Sequence, residues 1–278
     1  MATFFYETHS HSKLSDGGNT PAEMLSAAEA KGMKVFTLTD HFDIHEHFPA
    51  QLSCFDGAGR DSSYRQMLDL KHSHDIKGSP TKFMTGIEIG QGHQFRDVAN
   101  NWLDVHEYDM VIGACHIIRG HIDFYHMDYD RNPPKVVLKQ YFAELIEMCT
   151  WCCERCCEQV NAQKRFDTLA HMTYPVRYIK ANVDLSDYSA QIDELFEIMV
   201  KNEIALEINT GKALMNSPDL PQLRRYRELG GRLLTLGSDC HSVDRIAYGL
   251  ESAVEMAKAA GFSECVYFEK RKPVSVKL

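Results

Sequence analysis

Short apolar runs alternate with helix-like segments along this chain, and run after run stops on a histidine or a carboxylate. The runs are "TFFYETH", "KVFTLTDH", "KFMTGIEIG", "DMVIGACH", "DTLAHM", "IALEINTG" and "RLLTLGSDCH". Short apolar stretches rich in β-branched and aromatic residues read as strands. Strands that alternate with helices build a parallel α/β sheet, either open or closed into a barrel. The count, about seven, sits close to the eight strands of the common barrel. No low-complexity segment or Pro/Gly/Ser linker divides the chain, so residues 1–278 are expected to form a single domain.

The helices between the runs have readable ends. In "TPAEMLSAAEAKG", Thr20 suits the N-cap, Pro21 the first helical position and Glu23 the reciprocal arm of a capping box. Gly32 supplies the stop, as Gly261 does for "AYGLESAVEMAKAAGF". Further helices are expected around residues 61–77, 134–163, 189–202 and 219–229.

The strand ends carry the chemistry. His9 and His11 lie at i and i+2, so in an extended segment both imidazoles point to one side. Asp40 and His41 close the second run, Glu88 falls near the end of the third, and His116 and His171 finish the fourth and fifth. Asp239 and His241 repeat the i, i+2 spacing at the last. A parallel barrel places its active site at the C-terminal ends of its strands. One strand-end histidine is more often solvated or hydrogen-bonded than a ligand, but repetition at the same phase of several strands points to one metal-binding mouth. Imidazole with carboxylate suits zinc, manganese or iron(II).

Composition narrows the function class. Thirty-nine acidic against thirty basic residues give a formal charge of −9, which argues against a surface built to neutralise a nucleic-acid backbone. The N-terminus lacks the basic and apolar regions of a signal peptide, and no apolar run approaches the roughly 20 residues that cross a bilayer. Nine cysteines, an odd number, fit reduced thiols and a cytoplasmic protein with no membrane partner.

The segments "THSHS", "LTDH", "GIEIG", "GACHII", "LAHMTYP" and "LGSDCHS" resemble the successive metal motifs of the polymerase and histidinol phosphatase (PHP) family. The resemblance runs nearly end to end, and "GSDCHSVDRIAYGLESAVEMAKAAGF" is similar to its histidinol-phosphatase branch. It implies a distorted (β/α)7 TIM-like barrel with three divalent metal ions, acting on a small phosphate monoester, L-histidinol phosphate of histidine biosynthesis first among them. His9, His11, Glu88 and Asp239 would hold the first metal. Glu88 would bridge to a second at His116 and His171. The third would take His41, His241 and Asp16, where some family members carry histidine. Asp40 reads as a turn residue. A metal-held hydroxide would attack phosphorus, with Glu88, Asp239 and His241 as the catalytic group. Arg177 is the first candidate to clamp the phosphate, Arg119 the second, and His121 lies where it would approach the substrate. The alternatives are another small phosphate ester, such as a nucleotide or sugar phosphate, a phosphodiester, or a non-catalytic metal-binding module.

Other signals are set aside. Cys149, Cys152, Cys153, Cys156 and Cys157 fall at the spacing of one helix face, so they are expected to pack as small hydrophobes rather than bind zinc. His45, His47, His72, His74, His93, His106 and His126 are expected at the rim or in solvent. "GQGHQF" lacks the setting of a dinucleotide loop, and no G-x-S-x-G elbow is present.

Overall fold

The computed structural model describes residues 5–44, 57–158, 163–211 and 217–278. The first half runs β1 (Tyr6–Glu7), α1 (Pro21–Ala30), β2 (Val35–Leu38), β3 (His41–Asp43), α2 (Gly57–Lys77), β4 (Lys82–Gly90), α3 (Arg96–Val105), β5 (Met110–Ala114) and α4 (Pro134–Glu158). Then come β6 (Thr168–Leu169), α5 (Ser189–Lys201), β7 (Ala205–Asn209), α6 (Leu220–Glu228), β8 (Leu234–Gly237), α7 (Leu250–Ala259), β9 (Glu264–Glu269) and β10 (Lys272–Lys277).

Strands that follow one another in sequence lie side by side, in the order β1, β2, β4, β5, β6, β7, β8, all parallel. The β3 strand continues the register of β2 along β4: Leu38 stands opposite Thr85, and His41 opposite Glu88. The two are therefore one barrel strand interrupted at Thr39 and Asp40. The ends meet where Ser10 bridges Cys240 and the amide of His11 donates to the carbonyl of Cys240 at 2.8 Å. The result is a nearly closed seven-stranded parallel barrel.

Helices cover its outside. α1 begins with the expected capping box: Thr20 accepts from the amide of Glu23, and the carboxylate of Glu23 accepts from the amide of Thr20. Exchanging both orphan groups fixes where the helix starts. The antiparallel hairpin β9–β10 was not among the expected strands, since Pro273 and a Lys-Arg turn hide it. Its Val266 and Phe268 pack with Met110, Ile112, Ala114, Ala170 and Ala205. The hairpin turn is tied to Asp109, just before β5, so this packing closes the N-terminal end of the barrel. α3 was also unforeseen, because Phe95 at its N-cap offers no side-chain acceptor and Asn100 and Asn101 are weak helix formers.

Cys149, Cys152 and Cys153 are buried in the main core, as their spacing implied; the side chains of Cys156 and Cys157 lie outside the described residues. Replacing Cys149 and Cys152 together by alanine is expected to cost at most about 3 kcal/mol of stability, an ordinary packing loss. Metal content and activity should not change; loss of a stoichiometric metal would revive a thiolate site. Three histidines differ from expectation. His74 and His93 are buried, the first against the carbonyl of Thr81 at 2.7 Å and the second against Glu144 at 2.6 Å. His106 stacks on Trp102 with ring centroids 3.7 Å apart. All three serve packing, whereas His72 and His126 are exposed. His45 and His47 lie outside the described residues.

Candidate metal centre

Everything in the barrel mouth is arranged about Glu88, which is fully buried near the end of β4. Its Oε2 faces one set of imidazoles: His9 Nε2 at 3.3 Å, His11 Nε2 at 3.5 Å and His41 Nδ1 at 2.8 Å. Its Oε1 faces another: His171 Nε2 at 2.8 Å and His116 Nε2 at 3.3 Å. Asp239 Oδ1 joins the first set, 3.2 Å from His11 Nε2 and 3.8 Å from His9 Nε2. A third group sits nearer solvent, where Asp16 lies 3.6 Å from His41 Nε2 and 3.2 Å from His241 Nε2. The nine residues expected as ligands are thus brought together in overlapping groups, one of which also takes in Asp43.

Their orientation is imposed from behind. His9 Nδ1 bonds Glu207 Oε1 at 2.6 Å, and His116 Nδ1 bonds Asp43 Oδ1 at 2.7 Å. A carboxylate that accepts a hydrogen bond from Nδ1–H leaves Nε2 as the free ligand atom. Glu207 Oε2 also accepts from the amide of His171 at 2.9 Å. Asp40 accepts from the amide of Ser12 and the hydroxyls of Ser12 and Ser15, pinning the loop that carries Asp16. A Cβ on Gly237 would stand 2.4 Å from His9 Cβ and 2.7 Å from Glu207 Oε1, so only glycine lets this pair close. Asp239 and His171 both adopt positive φ, 52° and 27°, an unusual backbone for residues with side chains that recurs where function over-determines the geometry.

The donor set fits divalent cations. His9 Nε2, both ring nitrogens of His11, His41 Nδ1 and Glu88 Oε2 are buried without a hydrogen-bond partner. Buried polar atoms are ordinarily paired, and here the orphans converge on the same points. Electrostatics agree. Burial opposes a charge on Glu88, yet the surrounding imidazoles of His41, His9 and His116 hold its carboxyl well below the usual range. Burial likewise opposes a charge on His41, but Glu88 and Asp16 push it up to about 10. Burial pushes His11 down to about 3, helped by the positive neighbours His41 and His241.

The three substrate candidates separate. Arg177 is mostly shielded, with its guanidinium 4.0 Å over Tyr174 and 4.7 Å over Tyr178, and its Nε lacks a partner. The Tyr174 ring is 5.0 Å from both His116 and His171, which puts Arg177 beside the mouth. Arg119 is engaged elsewhere, bonded to Glu144 at 3.1 Å and Glu147 at 2.7 Å on α4. His121 belongs to a turn closed by its amide on the carbonyl of Ile118, and it joins none of the ligand groups. Asp43 and Glu207 were missed. A signal existed for each: Asp43 is two residues past His41, and Glu207 is a charge inside an apolar strand, which demands a partner. Glu207→Gln is expected to weaken metal retention or activity about 10- to 100-fold, the usual cost of a lost carboxylate behind a ligating histidine. Metal analysis after dialysis and kcat/KM would measure it; an unchanged variant would remove Glu207 from the site.

A PHP domain pattern matches residues 7–211, and the chain belongs to the PHP family. It is 30% identical over 276 residues to a probable histidinol-phosphatase of Clostridium acetobutylicum, across 96% of this chain and 97% of that one. A histidinol-phosphatase of Lactococcus lactis is 26% identical, across 98% and 96%. The fold resembles the crystal structure of a histidinol phosphate phosphatase from Lactococcus lactis, complexed with zinc, L-histidinol and phosphate. That likeness has a TM-score of 0.77 at 22% identity, covering 98% of this chain and 100% of that one.

Proposed function

We propose that this protein is a metal-dependent phosphoric monoester hydrolase that converts L-histidinol phosphate to L-histidinol and phosphate in histidine biosynthesis. The observation that carries it is Glu88, one buried carboxylate whose Oε2 faces His9, His11 and His41 while its Oε1 faces His116 and His171. The full-length similarity to histidinol-phosphatases supports the choice of substrate.

Three divalent cations, zinc, manganese or iron(II), would be held by His9, His11, Glu88 and Asp239; by Glu88, His116 and His171; and by Asp16, His41 and His241. Bound there, they supply Lewis acidity that makes hydroxide available near neutral pH and offsets charge on the phosphoryl oxygens. The protein's own groups do the rest. Arg177, braced on Tyr174 and Tyr178, offers the phosphate a guanidinium that needs no reorganisation on binding. Asp239 keeps Oδ1 toward His9 and His11, while among the described residues Oδ2 has only a 3.5 Å contact from Asn209. That second oxygen is assigned to take the proton of the attacking water. His241 and Asp16 stand at the more exposed lip, where substrate enters.

The test is a panel on metal-loaded protein: histidinol phosphate, nucleoside monophosphates, sugar phosphates, an aryl phosphate and a dinucleotide diester. Sites that pair a substrate's polar groups reject analogues lacking them by roughly 10⁴-fold. We expect kcat/KM for histidinol phosphate to lead by at least about 100-fold, well inside that ceiling. Equal efficiencies across the panel would sink the histidinol assignment and leave a general metallophosphatase.

A further inference from the structure

At the other end of the barrel lies a second cavity, of 760 Å³, that the hydrolase chemistry does not use. Its size falls within the range of roughly 300–1,000 Å³ typical of small-molecule sites. It opens where β5 and β6 begin, beside the turn of the β9–β10 hairpin. The length of β5, roughly 16 Å at about 3.3 Å per residue, separates it from the mouth.

Its lining is cationic in an acidic protein. Lys71, Arg155, Lys164, Arg165, Lys270 and Arg271 face it, against the carboxylates of Asp104, Glu107 and Asp109. Two of those carboxylates, Asp104 and Asp109, are already shared. Asp104 Oδ1 answers both Arg155 and Arg165, at 2.5 Å and 2.8 Å. Asp109 accepts from the amides of Thr85 and Lys270 and lies 3.4 Å from Lys71 Nζ. Arg271 is turned to Asp167 behind the wall and to the carbonyl of Lys164 at 2.8 Å. Positive charge is left over: Arg155 and Arg165 share one carboxylate, and among the described residues Lys164 Nζ is answered only by a neutral carbonyl, that of Glu203.

The backbone adds an independent observation. Lys270 and Arg271 form the two-residue hairpin turn with φ of 50° and 63°. This turn favours Asn-Gly, so two long cations here run against local preference, a mismatch that points to use. Tyr64, Leu68 and Leu103 add apolar surface to the lining.

We propose that this cavity binds a small organic phosphate, with the dianion against Lys164, Arg165 and Lys270 and its ring or chain against Tyr64 and Leu68. The site is separate from the metal centre and needs no metal.

Phenylphosphonate is the probe, because its P–C bond resists a phosphatase. Calorimetry on metal-loaded protein is expected to find two sites per chain, one of them the metal centre. In K164Q/K270N one site should weaken by at least about tenfold, the loss of a charge-assisted bond, while hydrolysis of histidinol phosphate stays within twofold. Asn tolerates the left-handed turn better than Lys, so the hairpin is retained. Methylphosphonate, which lacks the ring, should bind the second site at least about fivefold more weakly, since little apolar surface is buried. A single site in the parent protein, or two undiminished sites in K164Q/K270N, would overturn the proposal. Equal affinity for both phosphonates would overturn the apolar contact.

Discussion

Glu88→Gln is expected to lower kcat/KM on the order of 10³-fold, the upper range for one preorganised electrostatic group, and to release bound metal. The amide keeps one oxygen and turns a nitrogen with two protons toward the other set of imidazoles. One oxygen can serve His9 and His11 or His116 and His171, but not both. The lost negative charge is not replaced by water, because the side chain is fully buried. Substituting an outer ligand such as Asp16 should cost less, since its carboxylate is 42% exposed and solvent can stand in. Metal analysis and steady-state kinetics on both variants would measure the difference. A glutamine variant with full metal content and activity within tenfold of the parent would remove the bridging role.

The central position of Glu88 was legible because strand ends are local features of a sequence. Each apolar run announced where it stopped, and the barrel rule brought those stops to one mouth. What stayed hidden depends on pairing between distant elements. Glu207 sits between Leu206 and Ile208 and reads as an inward-facing charge, but its partner His9 is 198 residues away and is delivered only by barrel closure. Asp43 meets His116 because β3 and β5 flank β4 in a particular register. Arg119 and Arg177 each follow a candidate ligand within a few residues, three after His116 and six after His171. Glu144 and Glu147, on one face of α4, capture the first, whereas the second lies on tyrosines beside the mouth. His74, His93 and His106 misled for the same reason: a polar residue in a polar stretch reads as solvated until the fold supplies Thr81, Glu144 and Trp102. The i, i+2 spacing of His9 and His11 needed no such help.

Chelation should abolish hydrolysis while leaving the barrel folded, and reloading should restore activity and release protons. The electrostatics of the mouth give the reason. Without cations, burial disfavours charge on His9, but Glu207, Glu88 and Asp239 outweigh it and raise its pKa well above the ordinary value. Asp43 and Glu88 do the same for His116 against its burial, and His41 is pushed up to about 10. These imidazoles are therefore protonated at neutral pH and neutralise the carboxylates, so the metal-free site is not a cluster of bare negative charges. A cation at Nε2 must displace that proton, which makes metal affinity rise with pH. An imidazole whose pKa is raised by folding contributes fully below its unfolded value of about 6.5, and that contribution is lost as pH climbs through the folded value. For His41 the loss extends to about pH 10. The chelated protein should thus lose thermal stability between neutral pH and about 10 more steeply than the reloaded one, whose imidazoles no longer hold those protons. Circular dichroism melts and proton release into weakly buffered solution on adding manganese, zinc or iron(II) would read both effects. Full turnover by a demonstrably metal-free sample would end the metal hypothesis, and reloading without proton release would show that these histidines are not the ligands.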